Sequence, residues 1–158
     1  MRGGNRGFTL IELVVVITIL AILAAVAMPK LAALQIDARI AKINGALASV
    51  KAGAVLARSV QLTRQLPGDT AVVMEGVSIS MVNGYPAAAS IAAAAGVSAP
   101  DFNIGAVSTV AGVNQVRISS DINHPDCAIL YQEAAPGGAP VYSIPLDPSN
   151  ATDRTSCS

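Results

Sequence analysis

Tryptophan is absent, and only five of the 158 residues are phenylalanine or tyrosine: Phe8, Tyr85, Phe102, Tyr131 and Tyr142. That excludes a large aromatic core. Alanine, valine and isoleucine supply most of the apolar content, which suits close helix packing instead. Charge is scarce as well, at 13% against about 25% in an average chain. With 53% of residues hydrophobic, the balance is unusual for a free soluble domain. There is one histidine, His124, and it stands in a turn-like Asn-His-Pro-Asp run. No Ser/His/Asp or Cys/His grouping can be assembled with credible spacing, so an enzyme is not expected. Glycine-rich segments follow no strand-to-helix pattern, and no phosphate loop or other cofactor site is expected.

Cysteine is limited to Cys127 and Cys157. Their spacing is not CxxC and a single histidine makes a poor metal partner. Beside an export-type N-terminus, a disulfide is the better reading than a redox or metal pair.

The few charges are unevenly spread. From Lys30 to Arg64 six basic residues (Lys30, Arg39, Lys42, Lys51, Arg58, Arg64) face one acid, Asp37. Beyond Arg64, Arg117 and Arg154 face eight acids: Asp69, Glu75, Asp101, Asp121, Asp126, Glu133, Asp147 and Asp153. An acidic C-terminal part is a poor footprint for nucleic acid, which needs clustered Lys and Arg. Nucleic acid is not an expected partner. Basic and acidic parts side by side would attract one another between copies.

What the chain has in abundance is an apolar run. After Arg2 and Arg6, residues 8–28 carry one charge, Glu12. As a helix this run would be about 30 Å long, enough to cross a bilayer core. A secretory signal cut after Ala25-Val26-Ala27 is one reading, and a plain membrane anchor is another. Both leave Glu12 unexplained, although a central carboxylate costs about 2.5–3.5 kcal/mol on insertion scales.

The stretch Gly7-Phe8-Thr9-Leu10-Ile11-Glu12-Leu13 resembles the prepilin signature of type IV pilins and of type II secretion pseudopilins. The resemblance implies cleavage by a prepilin peptidase between Gly7 and Phe8, methylation of the Phe8 amine, and retention of the apolar run. It also gives Glu12 a task, to set axial register by pairing with the Phe8 ammonium of a neighbouring copy. A carboxylate in an apolar medium is tolerable when so paired.

Pro29 removes a backbone hydrogen bond where the apolar run ends, and would kink a helix at a cost of about 3 kcal/mol. The resemblance implies local loosening there in an assembled fibre. Downstream, Ile36, Ile40, Ile43, Leu47, Val50 and Ala54 recur at helical spacing and form one apolar seam. One helix is expected from about Phe8 to about Thr63, apolar all round in its first half and amphipathic in its second. Gly45 and Gly53 weaken it slightly and permit close approach of a neighbour. Pro67-Gly68-Asp69 is a stop signal.

Beyond Pro67 short β-like runs alternate with turn residues. Thr70–Met74 and Val77–Val82 flank Glu75-Gly76 as a hairpin; Asn83-Gly84-Tyr85-Pro86 is a turn; Ala87–Ala95 is a short helix closed by Gly96. Val113–Ser119, Cys127–Glu133 and Val141–Ile144 are strand candidates. The expected fold is α+β: a long N-terminal helix packed on a small antiparallel head with a C-terminal disulfide loop. Asp147-Pro-Ser-Asn150 with Asp153 gathers oxygen atoms but lacks an ordered ligand spacing, and reads as an ordinary acidic loop with no metal. Asn150-Ala-Thr152 fits a glycosylation sequon, which in a bacterial export product means little.

The string Val82-Asn-Gly-Tyr-Pro-Ala-Ala-Ala-Ser90, following Pro29-Lys30-Leu31 and Asp37-Ala38-Arg39, is similar to the mannose-sensitive haemagglutinin pilins. That likeness implies a structural subunit of an extracellular filament for surface attachment. The organisation implied is a leader at 1–7, a membrane and filament-core helix at 8–28, a stem at 29–63 and a head at 64–158. Implied partners are further copies in a helical homo-oligomer, the prepilin peptidase, the inner-membrane pilus assembly machinery, and the membrane itself. The precursor would sit in the inner membrane of a Gram-negative bacterium before joining the pilus. The rivals are a pseudopilin acting as a secretion piston, and a minor pilin that captures DNA.

Overall fold

A computed structural model describes residues 7–158. The leader expected at 1–7 therefore lies, apart from Gly7, outside the described residues. The chain divides into two compact units that meet between Gln35 and Ile36. One helix, α1 (Leu10–Thr63), enters both.

Within the first unit α1 is almost wholly apolar as far as Met28, with Glu12 its one charge there, and the helix continues through Pro29. Proline has no N–H to offer the preceding turn, so one rung of the ladder is missing there.

In the second unit α1 supplies the core. Ile40, Ile43, Ala46, Leu47, Val50, Ala54 and Ala57 are buried along one seam, as the spacing anticipates. Ile36 packs at its upper edge. Each large aliphatic residue so buried is worth roughly 1.5–3 kcal/mol. Gly53 is buried in the same seam because the chain crosses it closely: a Cβ there would lie 2.5 Å from the Ala94 carbonyl oxygen. Gly45 has no such neighbour, since a Cβ would meet nothing within 4 Å.

After the helix come β1 (Val72–Met74) and β2 (Val77–Ile79), a tight hairpin with Met74 opposite Val77. Glu75 and Gly76 both take positive φ, 50° and 81°, the geometry of a two-residue hairpin turn. The run expected to continue to Val82 breaks at Ser80. Met81–Val82 (β3) instead pairs with Tyr85–Pro86 (β4) around Asn83-Gly84, again with φ positive at both. The turn is thus two residues, not four. The expected alanine helix shrinks to α2 (Ile91–Ala94), because Ala87–Ser90 forms a turn held by Ser90 N–H to the Ala87 carbonyl.

The main sheet has five antiparallel strands: β5 (Asn103–Ile104), β6 (Ser108–Val110), β7 (Val113–Ser119), β8 (Ala128–Gln132) and β9 (Val141–Tyr142). β7 is central, pairing with β5 and β6 and with β8; β9 lies outermost beyond β8. β5 and β6 are two and three residues long with no buried residue, which explains why alternation in the sequence did not reveal them. Val116, Ile118, Ile129 and Tyr131 turn to the α1 seam and close the core with Ile91 and the disulfide. A short helix, α3 (Ala151–Ser156), ends the chain where a loop was expected. The Asn150 side chain caps it, accepting from the N–H groups of Thr152 and Asp153. The α+β class holds.

Candidate processing and assembly site

The start of α1 is built by Thr9. Its hydroxyl oxygen accepts from the Glu12 N–H at 3.3 Å, and its carbonyl accepts from Leu13 N–H. In return one Glu12 carboxylate oxygen accepts from the Thr9 N–H at 2.9 Å and from its hydroxyl at 2.7 Å. This is a reciprocal capping box, Thr-x-x-Glu, which satisfies orphan amides of the first turn and places a negative charge at the positive end of the helix dipole. The sequence reading missed Thr9, although the Thr-x-x-Glu spacing was there to be seen. Glu12 is therefore held at a fixed place beside Phe8. Its second oxygen has no partner among the described residues.

Gly7 has no role in the fold of the described residues. A Cβ there would meet nothing within 4 Å, and no left-handed backbone demands a glycine. Phe8 is 82% exposed. From Phe8 onward the large apolar residues of the first unit stand open, Leu10, Ile11, Leu13 and Leu20 among them. An 18-residue window of α1 reaches a mean hydropathy of 2.9 with none of it buried. In water such a surface is unstable; it requires lipid or protein around it. The helix is long and apolar enough to cross a membrane.

Residues 2–28 match the family model described as the prokaryotic N-terminal methylation motif. The chain carries a methylation motif of this kind. The match supports a type IV pilin-like or pseudopilin-like subunit, a structural kind of protein and not an enzyme family. With the apolar helix, it suits a membrane-anchored precursor of an extracellular pilus. No curated protein and no solved structure matches the chain.

The remaining predicted residues fall in the second unit. Cys127 and Cys157 form a disulfide across 30 residues, buried in the core. In the chain-entropy picture a loop of that size contributes roughly 3–4 kcal/mol. His124 does sit in a turn, where Nδ1 lies 2.7 Å from an Asp121 carboxylate oxygen. Burial pushes the Asp121 carboxyl up, but the His124 ring, the Asn123 N–H and the Ser120 hydroxyl outweigh it and hold it below its ordinary value. Asp147 accepts from the Ser149 N–H and hydroxyl, which lower it likewise, and Asp153 accepts from the Asp147 N–H. Both serve the entry to α3. Among the described residues no three His, Cys, Asp or Glu side chains cluster as metal ligands.

Of the six stem cations, Arg39, Lys42 and Arg58 meet the head of their own copy. Arg39 donates to the Cys157 carbonyl at 2.9 Å and lies 4.0 Å from Asp121. Lys42 donates to the Ser120 and Asp101 carbonyls and sits over the Phe102 ring. Arg58 lies 4.4 Å above the Tyr85 ring. Among the described residues only Arg39 of these stem cations lies within ion-pair distance of a head carboxylate; the others meet carbonyls and rings.

Proposed function

We propose that the chain is a structural subunit of a type IV pilus-like filament, of the mannose-sensitive haemagglutinin kind, used for surface attachment. The precursor enters the inner membrane of a Gram-negative bacterium through residues 8–28. A prepilin peptidase cuts between Gly7 and Phe8 and the Phe8 amine is methylated. The pilus assembly machinery then moves the helix from lipid into a helical homo-oligomer, where residues 8–28 form the core, 29–63 the stem and 64–158 the head. Pro29 loosens the helix at the end of the core segment.

The observation that carries this reading is a motif glycine without a task in the fold, followed by a capped helix whose apolar surface is wholly uncovered. Gly7 stands where the resemblance puts the peptidase cut, and the fold of the described residues makes no other demand on it. An all-apolar helix that is kept must be buried by its own kind once it leaves the membrane. Glu12 supports the reading further. Thr9 holds it at the helix start, and one carboxylate oxygen has no partner among the described residues, which supports a role in pairing with the terminal ammonium of an adjoining copy. Pairing offsets the cost of burying either charge alone. The Cys127–Cys157 loop is a feature shared with pilins more than with pseudopilins, and the acidic head disfavours capture of DNA.

Mass spectrometry of the mature N-terminus tests the reading. A chain beginning at methylated Phe8 is expected, and Gly7→Leu should retain the leader. A mature chain beginning at Met28 would mean an ordinary signal peptide and sink the proposal.

A further inference from the structure

The two flanks of α1 in the second unit differ in kind. At 100° per residue, Leu56 and Val60 stand on one side of the buried Val50–Ala54–Ala57 seam, and Lys51 stands on the other. On the first flank Leu56 and Val60 meet Val73, Met74 and Val77 of the β1–β2 hairpin in an open apolar groove of about 410 Å³. Glu75 stands at its rim and has no cation within ion-pair distance among the described residues. Leu56 and Val73 are each more than half exposed, so nothing among the described residues fills this groove.

The second flank is the outer strand β9 and the residues after it. Val141 is mostly exposed and Ile144 is 84% exposed, a projecting apolar edge. Lys51 stands beside it, its ammonium 5.6 Å from the Tyr142 ring centre and without a carboxylate partner among the described residues. One flank is therefore concave, apolar and rimmed by an acid. The other is projecting, apolar and rimmed by a base.

We infer that these flanks are complementary: the groove of one copy receives the Val141–Ile144 edge of a second copy, with that copy's Lys51 set against Glu75. The contact joins different surfaces on opposite sides of α1. Such a heterologous contact does not use itself up in a two-fold dimer, and it propagates along a fibre when the rotation does not close. The apolar fit supplies attraction, while the charge pair selects register and rejects the wrong pairing. This inference rests on the filament reading above and names the head contact within it.

Charge reversal in the full chain tests it. Fibres sheared from cells are compared for the parent, Glu75→Lys, Lys51→Glu and the double variant, with the N-terminal mass of each recorded. Each single reversal should lower fibre yield by about tenfold through like-charge contact, and the double reversal should recover most of it. Single variants that yield as the parent does, or a double variant no better than its singles, overturn the contact while methylated Phe8 and parent fibres leave the filament reading standing. A second measurement does not depend on charge. Val73→Cys combined with Ile144→Cys should give a ladder of covalent multimers when fibres are oxidised, and monomer alone overturns the contact. A parent chain that starts at Met28 and forms no fibres ends the filament reading and this contact with it.

Discussion

The two halves of α1 are one helix with opposite needs. Residues 10–28 are apolar apart from Glu12 and Thr18, and nothing among the described residues covers them. In residues 36–63 one seam is buried against the head, while the other faces carry polar residues with Val55, Leu56 and Leu62 exposed among them. The comparison shows what a head can satisfy. A one-sided helix finds its cover within its own fold, whereas an all-sided one needs a medium or further copies.

The comparison can be sharpened most strongly by truncating one leucine from each half. Leu47→Ala opens the core and should lower the stability of the second unit by about 2–5 kcal/mol. Leu20→Ala, exposed in the first unit, should leave it unchanged within about 0.5 kcal/mol. Unfolding of the full chain in detergent micelles, followed by near-ultraviolet circular dichroism, reads this directly because all three tyrosines lie in the second unit. Equal losses at both sites would break the contrast.

The glycines come next. Gly53→Ala forces a Cβ into the Ala94 carbonyl, an overpacking that costs about 1–3 kcal/mol. Gly45→Ala meets open space in the helix interior and should stabilise by about 0.5–1 kcal/mol. The same denaturation experiment separates them by sign. If Gly45→Ala also lowers fibre yield, that face is covered by a neighbour in the assembly.

The smallest effect is electrostatic. Asp121 and Asp147 have lowered pKa values, so the stability they contribute is present above the ordinary carboxylate range and is lost as pH falls through their folded values. Unfolding midpoints should be flat from neutral to mildly acidic pH and fall only below the usual carboxylate range. Asp121→Asn should flatten part of that fall. A midpoint already falling near neutrality would assign the dependence elsewhere. Solvent screening of these partly exposed groups keeps the effect modest.

Much of the fold was legible because its signals are local. The α1 seam repeats every three or four residues. Glu75-Gly76 and Asn83-Gly84 are dipeptides that tight hairpins require, and β7 matched its expected limits, Val113–Ser119. The short strands β5 and β6 and the cap of α3 were not read. The two strands bury nothing, so no alternation marks them, and the cap depends on a single asparagine. At the candidate site the order of Gly7, Phe8 and Glu12 stands out in the sequence, while the part played by Thr9 was missed because Glu12 reads first as a buried charge and not as half of a cap.

Several stabilising polar contacts had no local signal at all. Gln61 is buried beneath the chain that follows α1, donating to the Pro67, Gly68 and Thr70 carbonyls. Glu133 accepts from the Ala88 N–H at 2.7 Å across 45 residues, and the Tyr131 hydroxyl donates to the Pro86 carbonyl at 2.6 Å. Burial, and then the neighbouring Tyr142 and Glu133, push the Tyr131 phenol far above its ordinary range, which keeps it a donor.

The sequence alone determined the long apolar helix with its single acid, the amphipathic continuation, the tight turns and the cysteine pair, since each depends on neighbours along the chain. Only the tertiary structure decided which stem cations face the head, why Gly53 and not Gly45 is required, and how Asn44 holds the Leu146 backbone and Asp37 meets Arg154. Those contacts join residues about a hundred positions apart, and their partners are chosen by packing of the α1 seam against the sheet, which no short stretch of sequence encodes.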